Sequence, residues 1–143
     1  MKDFRKRGIT QKSIYRIVDA NFNRTKEGLR VCEDICRFVL NRPDETKIYK
    51  SIRHRLTGII TQLKLTDIVA ARDMKGDVGK VSTAVELKRT KPADIFYANS
   101  QRAKESLRVL EEFLKLLDKK SAQKLKAMRY EIYAVEQKIV KRL

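Results

Sequence analysis

The chain contains one fifteen-residue segment twice, and this repeat constrains its fold more than any other feature. Residues 20–34 read ANFNRTKEGLRVCED and residues 98–112 read ANSQRAKESLRVLEE, so nine of fifteen positions are identical. The segments that follow also match weakly, KSIRH at 50–54 against KAMRY at 126–130. Two copies are too few for a solenoid, which needs about three repeats to bury its faces. We therefore predict a single all-α domain, residues 1–143, that uses a helical hairpin twice.

Apolar spacing and helix-end signals divide the chain into helices on either side of one polar loop. Apolar residues recur three and four positions apart, which is the period of a helix buried on one face. Ser13, Ser121 and a capping-box pattern at 83–86 predict helix starts, and Asn41 with Pro43 predicts a helix end. The predicted helices cover 14–40, 44–63, a short segment opening at 83, 92–117 and 121–140. The hairpins, about 14–63 and 92–142 and joined by 64–91, would pack about a pseudo-two-fold axis as a four-helix core.

Basic residues greatly outnumber acidic ones. The chain has 34 Lys and Arg residues against 18 Asp and Glu residues, for a formal net charge of +16. Such a surplus favours phosphate-bearing partners, although a Lys-rich solvated surface of the thermophilic type explains it as well. Aromatic residues are few, and no helix-turn-helix or RNA-recognition motif occurs, so nucleic acid is a disfavoured partner. The sequence leaves open whether the chain forms a homodimer.

Membrane and metal signals are weak. No run reaches the roughly 20 apolar residues of a transmembrane helix, and no apolar stretch follows the basic N-terminus as in a secretory signal. We expect a cytoplasmic protein that does not bind membranes. Cys32, Cys36 and the single His54 are too few for a tetrahedral metal site. The cysteines are predicted to be small core residues, and His54 a surface or boundary residue.

Three polar residues in each copy are unusual for their helix position. They are Asn21, Arg24 and Glu27 in the first copy, and Asn99, Arg102 and Glu105 in the second. The Asn and the Arg are predicted to project into the apolar arc, with the Glu at its edge. If these side chains are buried, their polar and charged groups need hydrogen-bond or ionic partners. Either they pair internally and fix how the hairpins dock, or they line a polar cavity that binds an anion.

The rest of the repeated helix divides into a packing side and a water side. Small residues at the centre of the apolar arc, Gly28 and Ser106, predict a close approach of two helices. The opposite side is predicted to face water through Lys26, Arg30, Glu33, Asp34 and Arg37.

The loop ARDMKGDVGK at 71–80 is a second candidate site. It offers cations for phosphate and carboxylates for a hard cation such as Mg²⁺, namely Arg72, Lys75, Lys80, Asp73 and Asp77. It is not a Walker P-loop, because two residues rather than four separate its glycines and Val81 follows the last lysine.

Three ordered motifs resemble a known family. They are RIVDANFNR at 16–24 with EGLRV at 27–31, ARD at 71–73 with GDVG at 76–79, and AN at 98–99 with LRVLEE at 107–112. Together they resemble the small helical hydroxymethylpyrimidine phosphate kinase, a family also found fused ahead of thiamine phosphate synthase and often called thiamine-phosphate pyrophosphorylase-like. The resemblance extends over about residues 13–138. With 143 residues there is no room for a synthase barrel, so it implies the stand-alone form.

This resemblance implies ATP-dependent phosphorylation of hydroxymethylpyrimidine phosphate to its diphosphate, with Mg²⁺. The residues implied to bind substrates are Asn21, Arg24, Glu27, Arg72, Lys80, Asn99, Arg102 and Glu105. Asp73 and Asp77 are the implied metal-binding and catalytic carboxylates. Two alternatives remain: a non-catalytic basic module that binds RNA or a partner enzyme, and a structural helical dimer.

Overall fold

A computed structural model of the chain describes residues 10–143, except for the side chains of Leu65, Val85 and Glu86. This part of the chain contains helices and no strands, as the all-α prediction requires. The helices are α1 (Gln11–Asp34), α2 (Pro43–Thr61), α3 (Leu65–Ala70), α4 (Ala84–Leu87), α5 (Pro92–Leu114) and α6 (Lys119–Val140). None of them is long and apolar enough to cross a membrane. The basic segment 1–9 and the Glu86 half of the predicted capping box lie outside the described residues.

Helix ends differ from the predicted ones by a few residues, because other side chains cap them. Thr10 rather than Ser13 caps α1, and its Oγ1 accepts a hydrogen bond from the Ser13 amide at 3.1 Å. Asp118 rather than Ser121 caps α6, and it accepts bonds from the Lys120 amide and the Ser121 hydroxyl. Each carboxylate or hydroxyl satisfies an amide that the first helical turn leaves without a partner.

The first helix ends in an irregular turn. Residues Ile35–Val39 continue α1 as a π-helical segment, and Asn41 follows in the left-handed conformation with φ of 51°. Asparagine tolerates this conformation better than most residues and commonly ends helices. The chain therefore reverses between α1 and α2 where Asn41 and Pro43 predicted an end.

Four helices form the core in a ring. α1 packs against α5, α2 against α1, α6 against α5, and α2 closes the ring on α6. α1 and α5 are antiparallel, since Cys32 lies 3.9 Å from the carbonyl of Phe96 while Thr25 contacts Ser106. The buried side chains of all four helices belong to one hydrophobic cluster.

The α1–α5 crossing depends on small residues, as predicted. A Cβ atom added to Gly28 would lie 2.8 Å from the Asn99 carbonyl oxygen and 3.4 Å from the Cβ of Ala103. In the equivalent position of the other copy, the hydroxyls of Thr25 and Ser106 share a buried 2.7 Å hydrogen bond. The two helices therefore approach closely through symmetry-related contacts.

Each hairpin is joined by the same buried ion pair. The Glu33 carboxylate bonds Arg53 at 3.0 Å, and the Glu111 carboxylate bonds Arg129 at 3.0 Å. Both glutamates are buried, so the prediction that Glu33 faces water is wrong. The reason is that α2 covers this side of α1. The ion pairs also account for the weak match between 50–54 and 126–130.

A further ion pair locates the pseudo-two-fold axis. Arg55 and Glu131 occupy equivalent positions of α2 and α6, and they bond each other at 2.7 Å. Because the axis passes close to this pair, α2 and α6 cover the same side of the α1–α5 layer. The opposite side of α1 and α5 is left uncovered by both.

The two cysteines are buried and unpaired, as their helical spacing predicted. Burial raises the pKa of both thiols, to about 12 for Cys36. His54 lies exposed on α2, in line with a surface histidine.

Candidate active site

The repeated polar residues lie on the side of α1 and α5 that α2 and α6 leave uncovered. We call this the outer face, formed by Asn21, Arg24, Glu27, Asn99, Arg102 and Glu105. The prediction that Arg24 and Arg102 project into the apolar arc is wrong, because both are exposed. Only the asparagines reach inward, Asn21 buried and Asn99 half-buried. The arginines lie at the edge of the arc, where no second helix covers them.

Symmetry places the two sets on one side of the molecule. In antiparallel helices related by a two-fold axis normal to their common plane, equivalent side chains point to the same side of that plane. Arg24 and Glu27 are one turn apart on α1, and Arg102 and Glu105 stand at the equivalent positions of α5. The outer face therefore presents the same amide, guanidinium and carboxylate twice.

Both asparagine amides are held by their own helix. Asn21 Nδ2 donates to the carbonyl of Ile17 at 2.9 Å, and Asn99 Nδ2 donates to the carbonyl of Ile95 at 2.8 Å. This leaves the amide oxygens to accept bonds, and Arg24 Nη1 reaches that of Asn21 at 3.4 Å. The asparagines are thus fixed in orientation before any ligand arrives.

The charged groups of the outer face are largely free. Within residues 10–143, the side chains of Arg102 and Glu27 form no hydrogen bond or ion pair, and Glu105 accepts one bond, from Gln101 at 2.9 Å. The internal Arg–Glu pairs that would fix the docking of the hairpins are not formed. That docking role belongs to the buried pairs of Glu33 and Glu111.

One arginine of the central loop forms an ion pair with α1. Arg72 donates from Nε and Nη2 to the two carboxylate oxygens of Asp19, at 2.7 and 2.6 Å. Asn23 Nδ2 donates to the same carboxylate at 3.2 Å. Asp19 raises the pKa of Arg72 through these hydrogen bonds and its charge. Arg72 therefore anchors the loop through two of its five N–H donors. The helical spacing did not indicate Asp19 as its partner, although Asp19 lies within the motif at 16–24.

The loop carboxylates organise their own turns. Asp73 Oδ1 accepts from the Gly76 amide at 2.8 Å, and Asp77 Oδ1 accepts from the Gly79 amide at 2.9 Å. A Cβ on Gly76 would collide with the Asp73 carboxylate. In the described part of the chain, no three His, Cys, Asp or Glu residues stand close enough to hold a metal ion. An Mg²⁺ ion here needs further ligands, such as phosphates.

The loop and the outer face are separate regions of the described structure. No hydrogen bond or ion pair among the described residues joins Asp73, Asp77 or Lys80 to the outer face. The anchor Asp19 precedes Arg24 by five residues, which is about 7.5 Å along α1 and about 140° around it. Asp19 and Arg24 therefore point to different sides of α1.

Residues 16–138 match the ThiD2 family model. The chain belongs to the ThiD2 family. It is 38% identical over 131 residues to a thiamine-phosphate synthase of Nostoc punctiforme, covering 91% of this chain and 36% of that protein. It is 40% identical over 137 residues to the thiamine-phosphate synthase of Synechocystis sp., covering 92% and 39%. The thiamine-phosphate synthase of Rhodopirellula baltica is 37% identical over 124 residues, covering 86% and 33%.

All three relatives are named thiamine-phosphate synthases, and each match covers most of this chain. The chain spans little more than a third of the length of the curated relatives it matches. No solved structure matches it.

Proposed function

We propose that this ThiD2 protein phosphorylates hydroxymethylpyrimidine phosphate to the diphosphate, with ATP as donor and Mg²⁺. The observation that carries the proposal is the duplicated set on the outer face. Phosphoryl transfer depends on positioning two phosphate-bearing reactants and neutralising their charge. Two exposed arginines on one face, Arg24 and Arg102, provide an anion site for each reactant.

The remaining outer-face groups fit the polar edge of a pyrimidine. The amide oxygens of Asn21 and Asn99 can accept from an exocyclic amino group, and their fixed orientation lowers the cost of ordering them on binding. Glu27 and Glu105 lie about one turn from Arg24 and Arg102, and their exposed carboxylates can accept hydrogen bonds from hydroxyl or amino groups of the ligand. Guanidinium groups next to such acceptors suit a ligand with a phosphate at one end and a polar ring at the other.

The central loop fits an Mg²⁺ ion that arrives with the nucleotide. Asp73 and Asp77 each keep Oδ2 free of the turn hydrogen bonds, and Mg²⁺ usually takes one or two carboxylates together with phosphates and water. The bound ion would neutralise phosphate charge. Lys80 is exposed and available to phosphate, whereas Arg72 holds the loop on α1.

The proposal is tested with the full chain, ATP, MgCl₂ and hydroxymethylpyrimidine phosphate. ADP and the pyrimidine diphosphate should appear in equal amounts. Arg24→Ala and Arg102→Ala should lower turnover, whereas Arg30→Ala should not, since Arg30 is an exposed α1 arginine that pairs with Asp34. Absence of ADP formation, or equal effects of all three variants, would overturn it.

A further inference from the structure

A groove runs along the junction of α5 and α6. It consists of two successive clefts of about 340 and 350 Å³. No outer-face arginine lines it, although Glu105 at the edge of the outer face borders its first cleft. The first is lined by the cations Lys104, Arg108 and Arg129, and the second by Lys115, Lys119 and Lys126. From Lys119 to Tyr133 the groove follows α6 for about 21 Å. It is longer than any single nucleotide requires.

Carboxylates hold some of these cations in place and leave others free. Lys104 Nζ bonds Glu136 at 2.9 Å, and Arg129 bonds Glu111 at 3.0 Å. Lys115 in the second cleft also bonds Glu112, at 2.8 Å, as does Arg108 in the first, at 3.1 Å. Lys119 and Lys126 are therefore the groove cations that have no carboxylate partner among the described residues.

Two exposed tyrosines stand one turn apart beside this row of cations. Tyr130 is 57% exposed and Tyr133 is 44% exposed, with ring centroids 6.0 Å apart. The Arg129 guanidinium lies 5.4 Å from the Tyr130 ring, and the Lys104 ammonium 5.2 Å from the Tyr133 ring. The first copy of the repeat has His54 and Thr57 at these positions, so the pair of rings is particular to the second hairpin.

We propose that the α5–α6 groove binds a single-stranded nucleic acid, independently of the kinase reaction. A basic groove with aromatic rings beside it is the chemistry that holds single strands, because cations contact the phosphates while bases stack on the rings. A duplex keeps its bases stacked inside and cannot use the tyrosines. The low aromatic content disfavoured nucleic acid as a partner, but the fold places Tyr133 in the lining of this basic groove and Tyr130 next to it.

Binding is measured by fluorescence anisotropy of labelled oligo-U RNA and oligo-dT DNA against the full chain. Affinity should fall steeply with salt, as expected for phosphate contacts. The double variant Tyr130→His with Tyr133→Thr introduces the residues of the first copy and should weaken binding roughly tenfold or more. Circular dichroism melting checks that this variant is folded. Duplex RNA should bind more weakly than either single strand, and ATP should not displace the strand.

A matched pair of lysine variants separates the groove from general electrostatic attraction. Lys119→Gln with Lys126→Gln removes two groove cations and should lower the salt slope by about 1.4. Lys120→Gln with Lys124→Gln removes the same charge at least about 100° around α6, and should change the slope little. The proposal is overturned if the two lysine pairs lower the salt slope equally. It is also overturned if the tyrosine variant binds with wild-type affinity, or if duplex RNA binds as tightly as the single strands.

Discussion

The guanidinium of Arg72 donates two hydrogen bonds, at 2.6 and 2.7 Å, to the carboxylate of Asp19. The aspartate side chain is 7% exposed and the arginine side chain 40% exposed. This pair fastens the central loop, 53 residues further along the chain, to the first helix. The loop is therefore positioned by α1 and not by its own sequence alone.

Removing this anchor should loosen the loop without unfolding the protein. Arg72→Ala removes the cation and two hydrogen bonds from a buried carboxylate, which keeps only the bond from Asn23. It should cost roughly 1–3 kcal/mol of unfolding free energy, measured by urea titration. Asp19→Asn should have a smaller effect, and the double variant should cost less than the sum of the two. Additive costs would show that the pair does not couple the loop to α1.

A methyl group at Gly28 should destabilise the α1–α5 crossing. Its Cβ would lie 2.8 Å from a backbone oxygen of α5, so Gly28→Ala is expected to cost about 1–3 kcal/mol through overpacking. Gly58→Ala is the matched control, because a Cβ there meets nothing within 4 Å. It should stabilise α2 by about 0.5–1 kcal/mol. If both substitutions change the unfolding free energy in the same direction, in thermal or urea unfolding, this packing is contradicted.

The outer-face arginines should matter for activity and not for stability. Arg24→Ala and Arg102→Ala should each lower kcat/KM roughly a hundredfold under the proposed kinase assay, since each neutralises phosphate charge. Both side chains are exposed, so the melting temperature should stay within a few degrees of the wild type. If each variant raises the KM of a different substrate, the copies bind different reactants. A large drop in melting temperature would instead indicate a structural role.

The buried cysteines should be inert in the folded protein. Burial raises the pKa of the Cys32 thiol well above its ordinary value, and it raises the pKa of Cys36 from 9.0 to about 12. At pH 8 a disulfide reagent such as DTNB should react with neither thiol until denaturant is added. Fast labelling of the native protein would contradict this burial.

The same pKa values give stability a pH dependence above pH 9. Between 9.0 and about 12 the folded chain keeps a proton on Cys36 that the unfolded chain loses, so stability is full below pH 9 and declines as pH rises. Cys36→Ala should make this decline shallower in urea titrations at increasing pH. An unchanged slope would show that Cys36 does not contribute to it.

The helical class, the hairpin repeat and the small residues at the α1–α5 crossing could be predicted because they are encoded locally. Apolar period and capping residues act within a few positions, and Gly28 with Ser106 marks a close contact whatever the partner helix is. Helix ends were displaced by a few residues because Thr10 and Asp118 cap better-placed amides.

The spacing of residues along each helix sets the angular position of every side chain, and this could be predicted from the sequence. Which of these positions another helix covers depends on the packing of the hairpins: Glu33 is buried and Arg24 is exposed, the reverse of the prediction. The physical reason is that α2 and α6 both pack on one side of α1 and α5, an arrangement set by contacts between hairpins. The same packing brings Asp19 to Arg72 and places Tyr130 and Tyr133 beside a row of cations.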